Sequence, residues 1–556
     1  MLKAYGEDHD LKLIERKTIK MKSKVIKITV LTIAISIAML FTLTACDNGS
    51  LSPEITPEPA DDQTPTVEAT PAPIPGQASG PTPEPEPEPL EINLSSRGMT
   101  DEQLAAMIEA GAISADVVHL NLSGNRLTDI TPLARLTNLE TLELGLDMSI
   151  LEGVPREYHR MHSHAMGSNQ ITDITPLADL TKLTLLNMAY NEITDITPLT
   201  NLKNLISLNL AYNEITDITS LTELTNLEIL DLSGNEINEV TSLAGMTKLN
   251  VLNLERTGRH EGTRISDISP LSNLTSLRSL SLGGHQISDL TPLAGMTGLE
   301  ELDLHDQREP ADDSGWRLIG TITDITPLAG LTSLVSLNLG NDGIVYLNNQ
   351  GRTVGQISDI SSLAGLTNLE SLNLRWNRID DISPLAMLRS LTSLNLANNQ
   401  VRDISPIAGL TSLVELDLWN NQITNMSPVV NLLNLEKLDL GSSLFRCMIV
   451  RAFSGDTGNQ ISDISPLVGL TNLTWLNLGN NSAGCHKDTS GGGNTISNIT
   501  PLSLLTNLET LIIRTTDITD ISALSGLTNL VTLDLLGNEI SDWSPVAHVE
   551  RVTGRP

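Results

Sequence analysis

The chain has 556 residues, a formal net charge of -33, three cysteines, and only five Trp, five Tyr and three Phe in a composition that is 40 % hydrophobic. A core of that make-up is built from Leu and Ile rather than rings, and three cysteines exclude both a disulfide-dense scaffold and a Cys-based zinc module. The acidic balance argues against a nucleic-acid surface, which needs clustered Lys and Arg.

Lys22, Lys24 and Lys27 precede an uncharged apolar run from Ile28 to Leu43, followed by Thr44, Ala45 and Cys46. A basic stretch, a short apolar stretch and small residues before a cleavage point have the layout of an export signal, and the run is short for a membrane span. The Leu-Thr-Ala-Cys ending resembles the lipobox of bacterial lipoproteins. That resemblance implies cleavage before Cys46 and lipid on its sulfur and amine; an uncleaved anchor is the alternative. The basic stretch sits far enough in for translation to start at Met21. Residues 1–45 are therefore read as N-terminal extension and signal, on a protein held at the extracellular face of the cell envelope.

Residues 46–92 form a Pro/Glu/Thr-rich linker that carries twelve prolines and no Lys or Arg between Asp47 and Leu90. Such a segment buries no core, and prolines with like charges keep it extended, so it reads as a spacer. Residues 93–116 are expected to form a helical cap. Thr100 and Gln103 make a capping-box pair, Leu104, Met107 and Ile108 share a face, and Gly111 ends the helix.

From Leu127 onward one phrase recurs: Ile-Thr/Ser-Asp-Ile-Thr/Ser-Pro-Leu, then Leu-Thr-x-Leu-x-x-Leu-x-Leu, then Asn. About sixteen copies occur, most often 22 residues apart, the mark of a solenoid. In the copy opened by Ile171 the apolar residues are Ile171, Ile174, Leu177, Leu180, Leu183, Leu186 and Met188. Steps of three suit a tight helical turn, with Thr175 as its N-cap and Pro176 as its first residue, and the closing alternation suits a short strand. Stacked coils would join their strands into one parallel sheet and bury identical leucine rows. A chain-terminal half-coil follows Trp543, with Val546, Val549 and Val552 in the apolar phase.

This phrase resembles the leucine-rich repeats of the internalin family over about residues 93–556. The resemblance implies an α/β solenoid: a curved right-handed superhelix with one parallel β-sheet of about 16 short strands, 3₁₀ turns on the other face and an N-terminal helical cap, the repeat domain covering 117–556. It also implies a buried asparagine ladder at Asn125, Asn169, Asn191, Asn213, Asn235, Asn377, Asn399, Asn421, Asn459, Asn494 and Asn538, broken at Thr263, His285, Gly320, Gly355 and Thr516. No cell-wall sorting motif stands before Pro556, so anchorage would rest on Cys46.

Six intervals exceed 22, and every extra residue falls between a last strand leucine (Leu144, Leu254, Leu304, Leu339, Leu440 or Leu478) and the next opening residue. Packed coils admit extra chain only where it can leave the stack, so the insertions are expected along one rim. Tyr158, Trp316, Tyr346, Phe445 and Phe453 lie in them. Trp419 and Trp475 are placed on strands, and Tyr190, Tyr212 and Trp376 just beyond strand ends. Aromatics are prominent in binding hot spots, so these ten residues are the ligand-binding candidates. Outward strand positions such as Asn187, Asp231, Asp417 and Asp439 make a polar row suited to glycan hydroxyls, to a basic protein patch, or simply to solvent.

His159, His162 and His164 could wrap a metal if their loop bends suitably, although a solvated loop explains them equally. Opening-phrase aspartates such as Asp173, Asp195 and Asp217 are expected to cap turns rather than hold calcium. Cys447 and Cys485 each lie seven residues beyond a strand leucine of consecutive coils, which makes them a disulfide candidate. No catalytic set stands out and no cofactor is implied. The expected function is a lipid-anchored, monomeric binding protein, not an enzyme, that recognises a protein ligand on another cell or in the envelope. Glycan or cell-wall binding is the alternative, and a metal-dependent hydrolase using the first insertion is a third reading.

Overall fold

The computed structural model describes residues 90–146, 168–256, 264–308, 318–341, 353–443, 458–481 and 493–555. All belong to one compact unit, Leu90–Asp147 with Arg156–Pro556. Within a coil, Leu177 N–H bonds to Ile174 C=O, Leu180 N–H to Leu177 C=O and Leu183 N–H to Leu180 C=O, at 3.0, 3.0 and 3.1 Å. The sequence steps of three are thus successive three-residue turns, which set every third side chain inward. Thr175 is the first residue of the 3₁₀ turn Thr175–Leu177, not its cap. Ile174 holds the cap position, and Asp173, just before it, closes the turn by accepting the Thr175 N–H on Oδ1 at 2.8 Å. Asp195, Asp217, Asp267, Asp359 and Asp520 repeat that bond in their own coils.

Each coil then runs three residues as a strand. Leu185–Asn187 pairs in parallel with Thr141–Glu143 on one side and Ser207–Asn209 on the other, row by row. The whole makes a single unclosed sheet of eighteen strands. The two beyond the expected sixteen, Leu90–Asn93 and Val117–Asn121, precede the first opening phrase and pair with each other. Between them the helix Asp101–Glu109 turns Leu104 and Ile108 into the core and receives the Thr128 N–H on Asp101 Oδ1 at 2.8 Å. Gln103 Oε1 accepts the Thr100 N–H at 3.0 Å, and Gly111, at φ +74°, stops the helix. At the other end Val546 and Val549 are buried and Arg551–Thr553 adds the last strand.

The core is one continuous spine. All seven apolar residues of the Ile171 coil are at most 1 % exposed, and the same rows run through the other coils. Beside the spine runs the amide ladder. Asn213 Oδ1 accepts the N–H of Ile193, the opening residue one coil back, while Nδ2 donates to the carbonyls of Met188 and Leu210. Asn191, Asn399 and Asn421 repeat this pattern, and so does Asn459 across the extra chain of its coil. The ladder differs from expectation at two coils. His285 continues it, with Nδ1 facing the Ile265 N–H at 3.3 Å and Nε2 at 2.7 Å from the Leu254 carbonyl. In the Leu304 coil the rung is Gln307, ahead of the insertion, which accepts the Ile287 N–H at 2.9 Å. Both side chains reach where an Asn would, because the turn needs one acceptor and one donor rather than a particular residue.

Candidate binding face and rim

The insertions leave the stack just beyond the strand ends, and their bases are pinned. Arg308 forms an antiparallel bridge with Gly320 across the segment 309–317. Asn480 accepts the Asn494 N–H and donates to its carbonyl, both at 2.8 Å, across 482–492. Consecutive insertions also pair at their roots: Leu318–Ile319 with Thr353–Val354, and Ser442–Ser443 with Asn480–Asn481, each in parallel. Sequence reasoning put these segments on one rim but missed that neighbouring roots continue the sheet pattern outward. The equal lengths of the insertions after Leu304 and Leu339 were the available signal. Tyr158, Trp316, Tyr346, Phe445, Phe453, His159, His162, His164, Cys447 and Cys485, like Cys46, lie outside the described residues.

On the strand face the polar row turns back on itself. Asn187, Asn209, Asp231, Asn253, Asn395 and Asp417 each accept the backbone N–H two residues on, which ends the strand in a side-chain-closed turn. Their amide groups also link along the row, as Asn253 Nδ2 to Asp231 and Asn477 Nδ2 to Asp439. The row is therefore half-buried and largely self-satisfied.

The aromatic candidates divide into two places. Tyr190 and Tyr212 stack with ring centroids 4.4 Å apart and planes 8° from parallel, and Tyr190 is left 4 % exposed. Trp376, Trp419 and Trp475 belong to alternate coils but to different register positions: Trp376 lies three residues past the strand Ser371–Asn373, and Trp475 opens its own strand. Trp475 lies on its strand, with Lys437 Nζ 5.6 Å from the ring centroid. Trp419 lies two residues past the strand Glu415–Asp417, because Asp417 Oδ1 takes its N–H at 3.0 Å. Its indole covers Gly441, where a Cβ would come within 2.8 Å of Cδ1.

Between the two indoles, Asp417 and Asp439 are register partners on adjacent strands, as are Glu415 and Lys437. Burial raises both aspartates, and the neighbouring carboxylate helps push Asp439 up to about 7. The result is a three-strand patch of two indoles, a closely spaced carboxylate pair and one ammonium.

A second charged place lies where the chain meets the insertions at 257–263 and 309–317. His305 Nδ1 is 2.8 Å from Asp303 Oδ1, and its ring covers Gly283. Burial opposes its charging, but Asp303, with Glu255 and Asp306, pushes it up to about 9. Glu255, Arg256, Asp306 and Arg308 are buried around it. His285 is the reverse case: burial, with Arg256 and Arg264 nearby, pushes it down to about 4. Periodicity gave no sign of the His305 cluster, since His305 and Glu255 fill a position that holds Ala, Ser or Gly in plainer coils.

Among known proteins, the family model described as a leucine-rich repeat region matches residues 160–491, and one for two copies of the repeat matches 506–548. An internalin from Listeria monocytogenes is 33 % identical, over 70 % of this chain and 84 % of that one, with a TM-score of 0.42. A leucine-rich repeat protein of Leptospira interrogans is 22 % identical over 78 % and 93 %, with a TM-score of 0.50. The functional domain of internalin J from Listeria monocytogenes, which includes a cysteine ladder, is 19 % identical over 81 % and 72 %, also with a TM-score of 0.50. No match was found among proteins of curated function.

Proposed function

The chain belongs to the leucine-rich repeat family, whose members typically serve as non-enzymatic binding scaffolds, and from that premise we propose that it is a lipid-anchored binding protein of the bacterial cell surface that recognises a protein ligand. The observation that carries this reading is the three-strand patch at Asp417, Asp439, Lys437, Trp419 and Trp475, set beside the root ladder Ser442–Ser443 and Asn480–Asn481. A protein partner would use the indoles as anchors and the Lys437 ammonium beside Trp475 as a charged contact. Trp376 extends the surface two strands further.

Protein is favoured over glycan because the polar row spends its acceptors and amides on its own backbone and neighbours, leaving few groups for sugar hydroxyls. The Leu-Thr-Ala-Cys sequence supports lipid at Cys46, and the Pro-rich segment after it supports a stalk that lifts the solenoid from the membrane. Cys447 and Cys485 would bridge, since each stands four residues along the sequence from a root residue of a register pair, Ser443 and Asn481.

The test is co-purification from envelope extract with wild type, a variant lacking all six insertions, and the double variant Trp419→Ala/Trp475→Ala. The proposal expects a protein captured by wild type to be lost from both variants. Unchanged capture would refute the surface, and capture of polysaccharide instead would favour the glycan reading.

A further inference from the structure

At the Gly355 step the amide ladder carries an acceptor with no donor. Gly320 and Gly355 stand two residues ahead of the openings Ile322 and Ile357, the position held by Asn191 or Asn399 in plainer coils. Asn377, on the next coil, still donates to the carbonyls of Leu339 and Leu374 at 3.1 and 3.0 Å. Its Oδ1 has no hydrogen-bond partner, although the residue is only 3 % exposed. In Asn399 the same atom accepts the N–H twenty residues back at 3.1 Å; here that N–H would be Ile357's.

The orphan oxygen faces a small cavity lined by Gln307, Gly320, Asn341, Gly355 and leucine and isoleucine side chains of the spine, with room for about one water-sized molecule. Gly355 is what opens it. A Cβ there would collide with Asn377 Oδ1 and lie 2.5 Å from Asn341 Nδ2. Asn341 Nδ2 itself reaches the Trp376 carbonyl only at 3.4 Å, so two amide heads converge on the space with weak or no partners.

Buried acceptors in folded proteins find a donor, and the aliphatic remainder of the lining, with no carboxylate in it, excludes a charged one. We propose that this cavity binds a single water molecule, which donates to Asn377 Oδ1, engages Asn341, and takes the place of the missing rung. The seam between the roots of the insertions at 309–317 and 342–352 is then hydrated, whereas the seam beneath 444–457 and 482–492 is closed by Asn459 and Asn494.

High-resolution diffraction from the full chain tests this directly. The expected result is one ordered water within hydrogen-bond distance of Asn377 Oδ1. A cavity without density, or Asn377 Oδ1 accepting the Ile357 N–H, would overturn it. In solution, oxygen-17 relaxation dispersion should show one long-lived water fewer in Asn377→Leu than in wild type. The denaturation midpoint should fall as far in Asn377→Leu as in Asn399→Leu, since each removes a fully bonded amide. A clearly smaller fall in Asn377→Leu would mean a dry, unpaired oxygen and would also overturn the site.

Discussion

His285 offers a sharp test of the ladder, because it does an asparagine's work with a titratable ring. Its ring stays neutral in the fold, with burial pushing it from the ordinary 6.5 down to about 4. In the unfolded chain it takes a proton below about pH 6.5. The folded state therefore binds fewer protons between those values, and stability rises with pH across them. The contribution is complete above pH 6.5 and lost as pH falls toward 4, a change of about 3 kcal/mol for a shift of that size. Asp439 works against it in the same window. Raised by burial from 3.8 to about 7, it favours the fold at low pH and loses that contribution as pH rises through 7. The raw pH profile mixes the two, so the informative quantity is a difference. His285→Asn keeps an acceptor for Ile265 and a donor for Leu254 while removing the titration. Urea denaturation followed by circular dichroism, from pH 4 to 7.5, should show wild type gaining about 3 kcal/mol relative to His285→Asn as pH rises to 6.5, and nothing further above it. A flat difference, or one that grows as pH falls, would refute a neutral imidazole rung.

Three further outcomes follow from the same geometry. Asn213→Leu strands the Ile193 N–H in the core and takes from the Met188 and Leu210 carbonyls one of the two amide donors each has, and should cost about 2 kcal/mol, whereas Asp195→Ala, which exposes one turn N–H to solvent, should cost clearly less; paired denaturation curves compare them. Non-reducing peptide mapping of protein from its native compartment should recover Cys447 and Cys485 in one cross-linked fragment, and two alkylatable thiols would dismiss the bridge. Labelled fatty acid should enter wild type but not Cys46→Ser, which should then leave the membrane fraction; equal labelling of both would remove the anchor.

The spine was readable because one rule, an apolar residue every third position followed by an alternation, is repeated with little variation, and the hydrogen bonds Leu177–Ile174 and Leu180–Leu177 are that rule in backbone form. The turn-closing aspartates were readable for the same reason. What escaped was decided between coils. Nothing within a single phrase says that His285 and Gln307 are rungs, since each is recognised only by the N–H twenty residues earlier. Nor does a phrase reveal that Asp417 and Asp439 face one another, or that Trp419 has passed the end of its strand. Register across neighbours makes those contacts, and the alternation of one strand contains no record of it.

The departures from the plain phrase are not spread evenly. Between Leu254 and Asn377 a column that holds Ala, Ser or Gly in most other coils carries Glu255, His305 and Arg375, with Arg256 and Asp306 in the column beside it, and the same stretch holds the unusual rungs and the open step at Gly355. An insertion explains the association. Extra chain separates the strand end from the next opening, so the rung can come from either side of it, and the side chains at the gap no longer pack against a matching coil. Charged groups become tolerable there if they find one another, as His305 and Asp303 do. The pair of insertions after Leu440 and Leu478 keeps its asparagine rungs and a nearly uncharged root. Local opening follows the weakest packing, so the first pair sits on the more pliable base and the second on the firmer one. A rigid partner surface is better served by the second, which is also the pair beside the indoles and the carboxylates.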